Sequence, residues 1–506
     1  MNLKRFVMRA TLVTAVAASA VGIFSGAPAT TDVAKAAPEQ TGDLSCTAWK
    51  NVGSASTTLW GTSSGYGPTQ AKAWVYSGMD DKNDLSSRIE EMTMAGMQAN
   101  PSVTHKNAGG GAREIFGAAC AFRDKGDDSA LYCFGGTDKP MDEGKGESYI
   151  QRLVVKTGAW EQNVSVQGAF AGRFSAAAVY DATHDVIWVS GGVNNCSFDD
   201  VVNGNGCTSS NMALGYLSFS PALKWNTVGV NHNVFGHSMV LDTMGKRLLI
   251  YGGSANAKDG RSTLSGVDVS DANPDMAKAV SVSATGSGPA AFYHAASYDS
   301  DLNAMFVYGG ITRNYLKNNE SSENRTMALD LAATPAKWVN ISGASLQDRI
   351  GGTMFYDTKQ KASIFTLGRK VLGSGTPTAP DVIVEPTIQR TTHALQCSRA
   401  AVVPTNTPGP TNTPGPTNTP GGTRPTNTPP GPVPPSVCPG LERYVPRAAI
   451  DYAAANPTSI QGYDQLCNPN LPMSPTNGKR GRLGLQNPSA PYHPIFNSVV
   501  YKCGCP

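Results

Sequence analysis

The sequence predicts an all-β protein in which a unit of four short strands is repeated around an axis. Three recurring features predict this class. A short apolar run ending in glycine recurs six times, with successive glycines 56 to 61 residues apart. In five copies a run ending in aspartate precedes that glycine by eleven or twelve residues. A tryptophan follows several copies after a polar loop and another strand-like run.

The glycine runs predict buried strands that end in a turn. Four copies are strong: ALYCFGG, VIWVSGG, RLLIYGG and AMFVYGG end at Gly136, Gly192, Gly253 and Gly310, and weaker copies end at Gly78 and Gly368. The aspartates are Asp124, Asp181, Asp242, Asp299 and Asp357, and the tryptophans are Trp160, Trp225 and Trp338. A nucleotide-binding loop would need a following helix and a Gly-Lys-Ser/Thr sequence, and neither is present. The glycines therefore indicate a chain leaving a buried strand in a conformation closed to other residues.

This order of strand, Tyr-Gly-Gly-type strand, loop and tryptophan-bearing strand resembles the kelch repeat, as in the central domain of galactose oxidase. The resemblance implies a six-bladed kelch-like β-propeller over residues 40–400. It also implies that the loops after the glycines lie on one face of the disc, which is the usual ligand surface in kelch propellers.

A propeller closes by pairing strands from the two ends of the chain, because an open ring would expose sheet edges. The expected partners are SCTAWKNVG at 45–53 and TTHALQCS at 391–398. A Cys46–Cys397 disulfide would lock this seam. Cys120 and Cys133 fall on adjacent strands of one blade, and Cys196 and Cys207 bracket an insertion.

The two ends of the chain differ in composition from the repeats. Residues 1–36 carry a basic start, an apolar run and an Ala-Lys-Ala site, which is typical of a secretory signal peptide. Residues 404–436 contain four copies of Pro-Thr-Asn-Thr-Pro and predict an extended linker. Residues 437–506 predict a small disulfide-rich α+β module with two short helices and two short strands.

All ten cysteines lie in the predicted exported part, six before the linker and four after it. Even counts on each side indicate disulfides within each part. In the tail, Cys503 and Cys505 are too close to pair comfortably, so each is expected to bond to one of Cys438 and Cys467. The sequence leaves both of these connectivities open.

Charge and motifs exclude several classes of function. Without residues 1–36 the chain has 37 basic and 37 acidic residues, so nothing favours nucleic acid. No second apolar segment is long enough to span a membrane. The sequence contains no Gly-x-Ser-x-Gly, no His-Glu-x-x-His and no calcium-loop spacing. We therefore predict no cofactor and no metal site.

Candidate binding residues lie on or beside the loops that follow the glycines. Three of the longest and most polar of these loops span 137–148, 193–211 and 311–326. Arg173 and Arg349 precede the first strands of their blades, and Arg313 and Tyr315 lie in the third loop. The alternative for each arginine is a structural contact with a neighbouring backbone.

His237 and His294 occupy equivalent positions in adjacent repeats, five residues before the aspartate. Two interpretations are open for this pair. The histidines either share a metal ion or serve in packing, and packing is favoured because histidine is common at this point of the kelch pattern.

Two hypotheses about function follow from these expectations. The first is a secreted or cell-surface protein that binds glycan or protein ligands at the loop face, with the tail as a second binder or a surface attachment. The second is a secreted carbohydrate-active enzyme of oxidase, mutarotase or lyase type. The first is favoured because no catalytic constellation is evident, so whether the protein is an enzyme stays open.

Overall fold

The computed structural model describes residues 43–399, except 83, 140–144, 195–211, 257, 314–320 and 371–386. Six sheets, each built on four antiparallel strands, surround one axis, so the protein contains a six-bladed β-propeller. The described residues contain little helix, namely two single 3₁₀ turns at Gly126–Asp128 and Pro274–Met276. The predicted all-β class and the number of blades are confirmed.

The strands are given blade by blade, in order from the axis outward. Blade 1 contains β3 (Ser63–Gly67), β4 (Lys72–Tyr76), β5 (Glu90–Met94) and β6 (Val103–Asn107). Blade 2 contains β7 (Ala119–Arg123), β8 (Ala130–Phe134), β9 (Ile150–Val154) and β10 (Ala159–Glu161). Blade 3 contains β11 (Ala177–Asp181), β12 (Val186–Ser190), β13 (Ala213–Ser218) and β14 (Lys224–Asn231).

The other three blades follow the same plan. Blade 4 contains β15 (Ser238–Asp242), β16 (Arg247–Tyr251), β17 (Leu264–Asp268) and β18 (Lys278–Val280). Blade 5 contains β20 (Ala295–Asp299), β21 (Ala304–Tyr308), β24 (Thr326–Asp330) and β25 (Ala336–Asn340), with β19 (Ala284–Thr285) parallel to β25 and a hairpin of β22 (Ile311–Arg313) and β23 (Ser321–Ser322). Blade 6 contains β26 (Thr353–Asp357), β27 (Ala362–Thr366), β28 (Thr391–Leu395) and β2 (Lys50–Ser54).

The repeated aspartate ends the first strand of its blade and shapes the turn into the second. Asp299 Oδ1 accepts hydrogen bonds from the backbone N–H groups of Asp301 (2.9 Å) and Leu302 (3.0 Å). Asp181 and Asp357 accept equivalent bonds in their own blades. The carboxylate accepts hydrogen bonds from backbone N–H groups that a tight turn would otherwise leave without partners. This explains why the motif recurs in the sequence.

The two glycines that follow the second strand lie where two blades meet. Gly309 has a φ of +75°, and a Cβ placed there would lie 2.3 Å from the carbonyl oxygen of Arg349 in the next blade. Any side chain would therefore clash as well as strain the backbone. The next N–H, that of Gly310, donates to the same oxygen at 3.0 Å. Equivalent bonds join all six pairs of neighbouring blades, from Gly78, Gly136, Gly192, Gly253, Gly310 and Gly368 to Ile115, Arg173, Val234, Ala291, Arg349 and Leu59.

In four of the six blades, a tryptophan on or beside the outer strand joins that strand to the preceding blade. Each one packs against the aromatic residue that ends the second strand of that blade, just before the glycines. The ring centroids are 5.0 Å apart for Tyr76–Trp160, 5.9 Å for Phe134–Trp225, 4.7 Å for Tyr251–Trp338 and 5.6 Å for Tyr308–Trp49. Aromatic burial of this kind stabilises the contact between neighbouring blades.

The ring closes within blade 6, as the sequence predicts. Strand β2 from the start of the domain pairs with β28 from its end, and β1 (Leu44–Cys46) pairs with β29 (Cys397–Arg399). The expected disulfides Cys46–Cys397 and Cys120–Cys133 are both present. The predicted signal peptide, the linker, the C-terminal module with its four cysteines, and the Cys196–Cys207 pair lie outside the described residues.

Candidate functional site: the loop face

We define the loop face as the end of the ring formed by the connections from second to third strands and by the linkers between blades. The opposite end is the turn face. The loops 137–148, 193–211 and 311–326 all connect a second strand to a third, so they begin and end on the loop face. This is the end on which the sequence places the candidate ligand surface. Rigid strands below such loops make it a suitable scaffold for binding.

A buried plug closes the axis at the base of the loop face. In each blade the residue three positions before the first strand forms a β-bridge with the residue that follows the glycine after the second strand. The six pairs are Trp60–Met79, Phe116–Thr137, Phe174–Val193, Phe235–Ser254, Phe292–Ile311 and Ile350–Arg369. Most of these side chains form one hydrophobic cluster around the axis, with Tyr293 among them. The loops therefore lie above a layer of closely packed, buried side chains.

An axial cavity of about 150 Å³ lies beside the plug and is lined by the first strands of all six blades. Tyr293 of blade 5 reaches Ser175 of blade 3 across part of this space, with 2.7 Å between the two hydroxyl oxygens. Ligand pockets usually measure roughly 300–1,000 Å³. The cavity is below that range, which favours the surface of the loop face as the site.

Arg173 and Arg349 are buried, with 2% and 4% of their surface exposed. Nη1 of Arg173 donates to the carbonyl oxygens of Gly191 and Ala213, both at 3.3 Å. Burial lowers the pKa of each arginine to about 10. In the structure each side chain serves the backbone of its own blade, and a role in ligand binding stays a prediction for both.

Arg173 and Arg349 bind backbone carbonyl groups at both ends of the two longest connections between second and third strands, those of blades 3 and 6. Nη1 of Arg349 donates to the carbonyl oxygens of Leu367 (3.2 Å) and Thr391 (3.0 Å), which are equivalent to the partners of Arg173. The connections concerned contain 22 and 24 residues, against 12 to 17 in the other four blades. The other blades have apolar residues at the arginine position, namely Leu59, Ile115, Val234 and Ala291.

Arg313 is the exposed member of the predicted set. Its side chain is 73% exposed and its Nε lies 3.7 Å from Asp259 Oδ1 in the neighbouring loop of blade 4. The two loops are also joined through the backbone, because the N–H of Gly260 donates to the carbonyl of Thr312 at 3.0 Å. Tyr315 lies outside the described residues.

A second polar cluster on the loop face of blade 2 was not predicted from the sequence. Burial raises the pKa of Glu147, and the nearby carboxyl of Asp138 raises it further, while Arg113 opposes the shift. The guanidinium carbon of Arg113 lies 4.2 Å from the ring centroid of Tyr149. The Tyr149 hydroxyl is buried and has no hydrogen-bond partner within the described structure. The sequence identifies the loop that holds Asp138 and Glu147, but no motif distinguishes these residues within it.

His237 and His294 both line the axial cavity and are 6% exposed. Their positions favour packing between blades, which is one of the two interpretations from the sequence. Among the described residues, no three His, Cys, Asp or Glu side chains come together as a metal site would require. In that same part of the chain, no helix is long and apolar enough to cross a membrane.

A larger, open recess of about 740 Å³ lies at the seam, away from the plug. Its lining includes the Cys46–Cys397 disulfide, Met97 and Lys361. Lys361 is the only side chain in this lining with a charge at neutral pH, so the recess offers little for catalysis or for recognition of a charged ligand.

Among the comparisons with known proteins, only those with solved structures give matches. No protein-family description matches the chain, and no curated protein sequence matches it. A solved structure titled "Structure of YjhT" is similar over 67% of this chain and 99% of its own, with 16% sequence identity and a TM-score of 0.47.

Proposed function

We propose that this protein is exported and binds glycan or protein ligands through the loop face of its propeller. One observation carries the proposal: the loops of blades 4 and 5 are tied together by backbone bonding and present Arg313 and Asp259 to solvent. Loops held in this way lose little conformational freedom when a ligand binds, which favours affinity.

The charges of this pair are available to a ligand. An exposed ion pair contributes only about 0–1 kcal/mol to stability, so breaking it to bind a ligand costs little. The guanidinium offers several N–H donors in a fixed plane and the carboxylate offers acceptors. Hydroxyl groups of a glycan can bond to the guanidinium donors and to the carboxylate acceptors, and charged side chains of a protein can pair with either group. The tail, as a second binder or a surface attachment, completes this proposal.

A secreted carbohydrate-active enzyme is the second candidate, and the cluster of blade 2 favours it. A carboxyl group with a raised pKa beside a second carboxyl is a usual arrangement for general acid–base chemistry. Glu147 and Asp138 provide such a pair, with Arg113 close by. The exposure of Asp138 on the surface weakens this candidate, because acid–base catalysis usually takes place in a site that excludes water.

A single assay separates the two candidates. The full mature chain is tested for saturable binding to a panel of immobilised glycans and of extracted surface proteins, and mass spectrometry then checks whether the bound glycans change. We expect saturable binding to at least one ligand, with its covalent structure unchanged. A product that forms with the parent protein, and no longer forms with Glu147→Gln, would establish the enzyme instead. Absence of saturable binding to the whole panel would contradict the binding proposal.

A further inference from the structure

Two buried histidines flank blade 4, one at each contact with a neighbouring blade. His237 begins blade 4 and packs on the end of blade 3: a Cβ at Gly191 would lie 2.5 Å from its Cε1. His294 begins blade 5 and packs in the same way on blade 4, with 2.6 Å between its Cε1 and a Cβ at Gly252. Each imidazole therefore fills the junction between two blades.

In the described structure no carboxylate faces either imidazole as a partner for a positive charge. Both ring nitrogens of His237 lack a hydrogen-bond partner in the described structure, and the titratable groups facing it are His232 and His294. His294 shares a 2.9 Å hydrogen bond between its Nε2 and Ser238 Oγ, and the ring of Tyr251 faces it at 5.6 Å. Burial raises the pKa of Tyr251, which therefore carries no charge at neutral pH. A protonated His237 would be unpaired and repelled, and a protonated His294 would have only uncharged partners, the Ser238 hydroxyl and the Ala291 backbone.

We propose that blade 4 is an acid-sensitive element of the ring, which loosens from both neighbours when His237 and His294 are protonated. A buried imidazolium without a carboxylate is costly unless water reaches it. Both side chains line the axial cavity, but the ring nitrogens of His237 and Nδ1 of His294 are buried away from it, so water reaches these atoms when the contacts between blades 3 and 4 and between blades 4 and 5 open. The effect of protonating His237 and His294 is therefore local to the two contacts of blade 4.

The direction of the effect follows from the pKa values. Burial, with contributions from His232 and His294, lowers the pKa of His237 from 6.5 to about 3. Burial lowers the pKa of His294 to about 4, although the backbone of Ala291 opposes the shift. A histidine whose pKa is lowered in the closed state stabilises that state above pH 6.5. This contribution to stability is lost as the pH falls from 6.5 toward the lowered pKa. Between pH 6.5 and 5.0 each opening equilibrium should shift by about fifteenfold, because the open-state imidazole is already half protonated at pH 6.5.

The glycine N–H bonds between blades report on these junctions one by one. The N–H of Gly192 donates to Val234 beside His237, and that of Gly253 donates to Ala291 beside His294, both at 2.9 Å. Gly78 and Gly136 make the same bond at the two junctions of blade 2, where Ala118 and Ala176 occupy the positions equivalent to His237 and His294. In hydrogen exchange on the full chain, we expect protection factors at Gly192 and Gly253 to fall about fifteenfold from pH 6.5 to 5.0. Protection at Gly78 and Gly136 should change far less.

Variants separate the histidines from general acid effects. His237→Gln should remove the loss at Gly192, and His294→Gln should remove the loss at Gly253. His184→Gln is the matched control, because both ring nitrogens of His184 have partners, Asp181 and the Asp271 carbonyl. An equal fall in protection at all four glycines of the parent protein would overturn the proposal. So would a fall at Gly192 and Gly253 that persists in the folded variants.

Discussion

Replacement of Cys46 and Cys397 by alanine is expected to lower the free energy of unfolding by roughly 5–6 kcal/mol. The two cysteines are 351 residues apart, so their bond closes almost the whole ring. In the chain-entropy account a disulfide stabilises by restricting the unfolded chain, and the effect grows with the length of the closed loop. Urea unfolding of the parent and the double variant measures the difference.

The second disulfide provides the matched control. Cys120 and Cys133 are only 13 residues apart, and their removal should cost about 3 kcal/mol by the same account. Both pairs join directly opposite residues of antiparallel strands. Cys120 and Cys133 are the more deeply buried pair, so loss of packing adds to the cost of the control and works against the expected difference. If the short-range pair proved as costly as the seam pair, or costlier, closure of the ring would not be the source of the stability.

Arg173→Ala is expected to destabilise the propeller by about 3 kcal/mol. The variant leaves the carbonyl groups of Gly191 and Ala213 without their donor at the base of a long loop. It also removes the guanidinium that lies 5.4 Å from the ring centroid of Phe170. Relief of the cost of burying an unpaired charge offsets part of this loss, which is why the expected value is not larger. Thermal or urea unfolding measures it.

Arg313→Ala is the control for this prediction and should change stability by less than about 0.5 kcal/mol. Its side chain is exposed and its one ion pair is at the surface. Equal effects of the two substitutions would contradict the structural role of Arg173. Arg349→Ala should behave like Arg173→Ala, because its carbonyl partners are equivalent.

The propeller could be predicted because each blade repeats the same local requirements. The aspartate caps the turn after the first strand, the glycines pass close to the next blade, and the tryptophan packs on the preceding one. These demands act within a few residues or on neighbouring blades, so they leave a period in the sequence. Closure through β2 and β28 follows from the need to cover free strand edges.

The candidate site was less predictable, because its contacts join residues distant in sequence. An arginine before a first strand has the same local sequence signal whether it faces solvent, as a ligand would require, or binds carbonyl groups of its own blade. Ala213, a partner of Arg173, lies 40 residues away, beyond a loop whose length is not part of the repeat. The proximity of Asp138 and Glu147 likewise leaves no signal in the repeat, because their loop differs from blade to blade.

The central claim is that ligands bind on the loop face, and charge reversal on the two faces tests it most directly. Arg313 on the loop face and Lys278 at the start of β18, beside the turn face, have side chains 73% and 72% exposed. Affinity is measured for the ligand that the panel identifies, with parent, Arg313→Glu and Lys278→Glu proteins. We expect Arg313→Glu to weaken binding roughly ten- to a hundredfold, as loss of one charge-assisted hydrogen bond does, and Lys278→Glu to leave it unchanged. Parent-like binding by Arg313→Glu together with loss of binding by Lys278→Glu would contradict the claim.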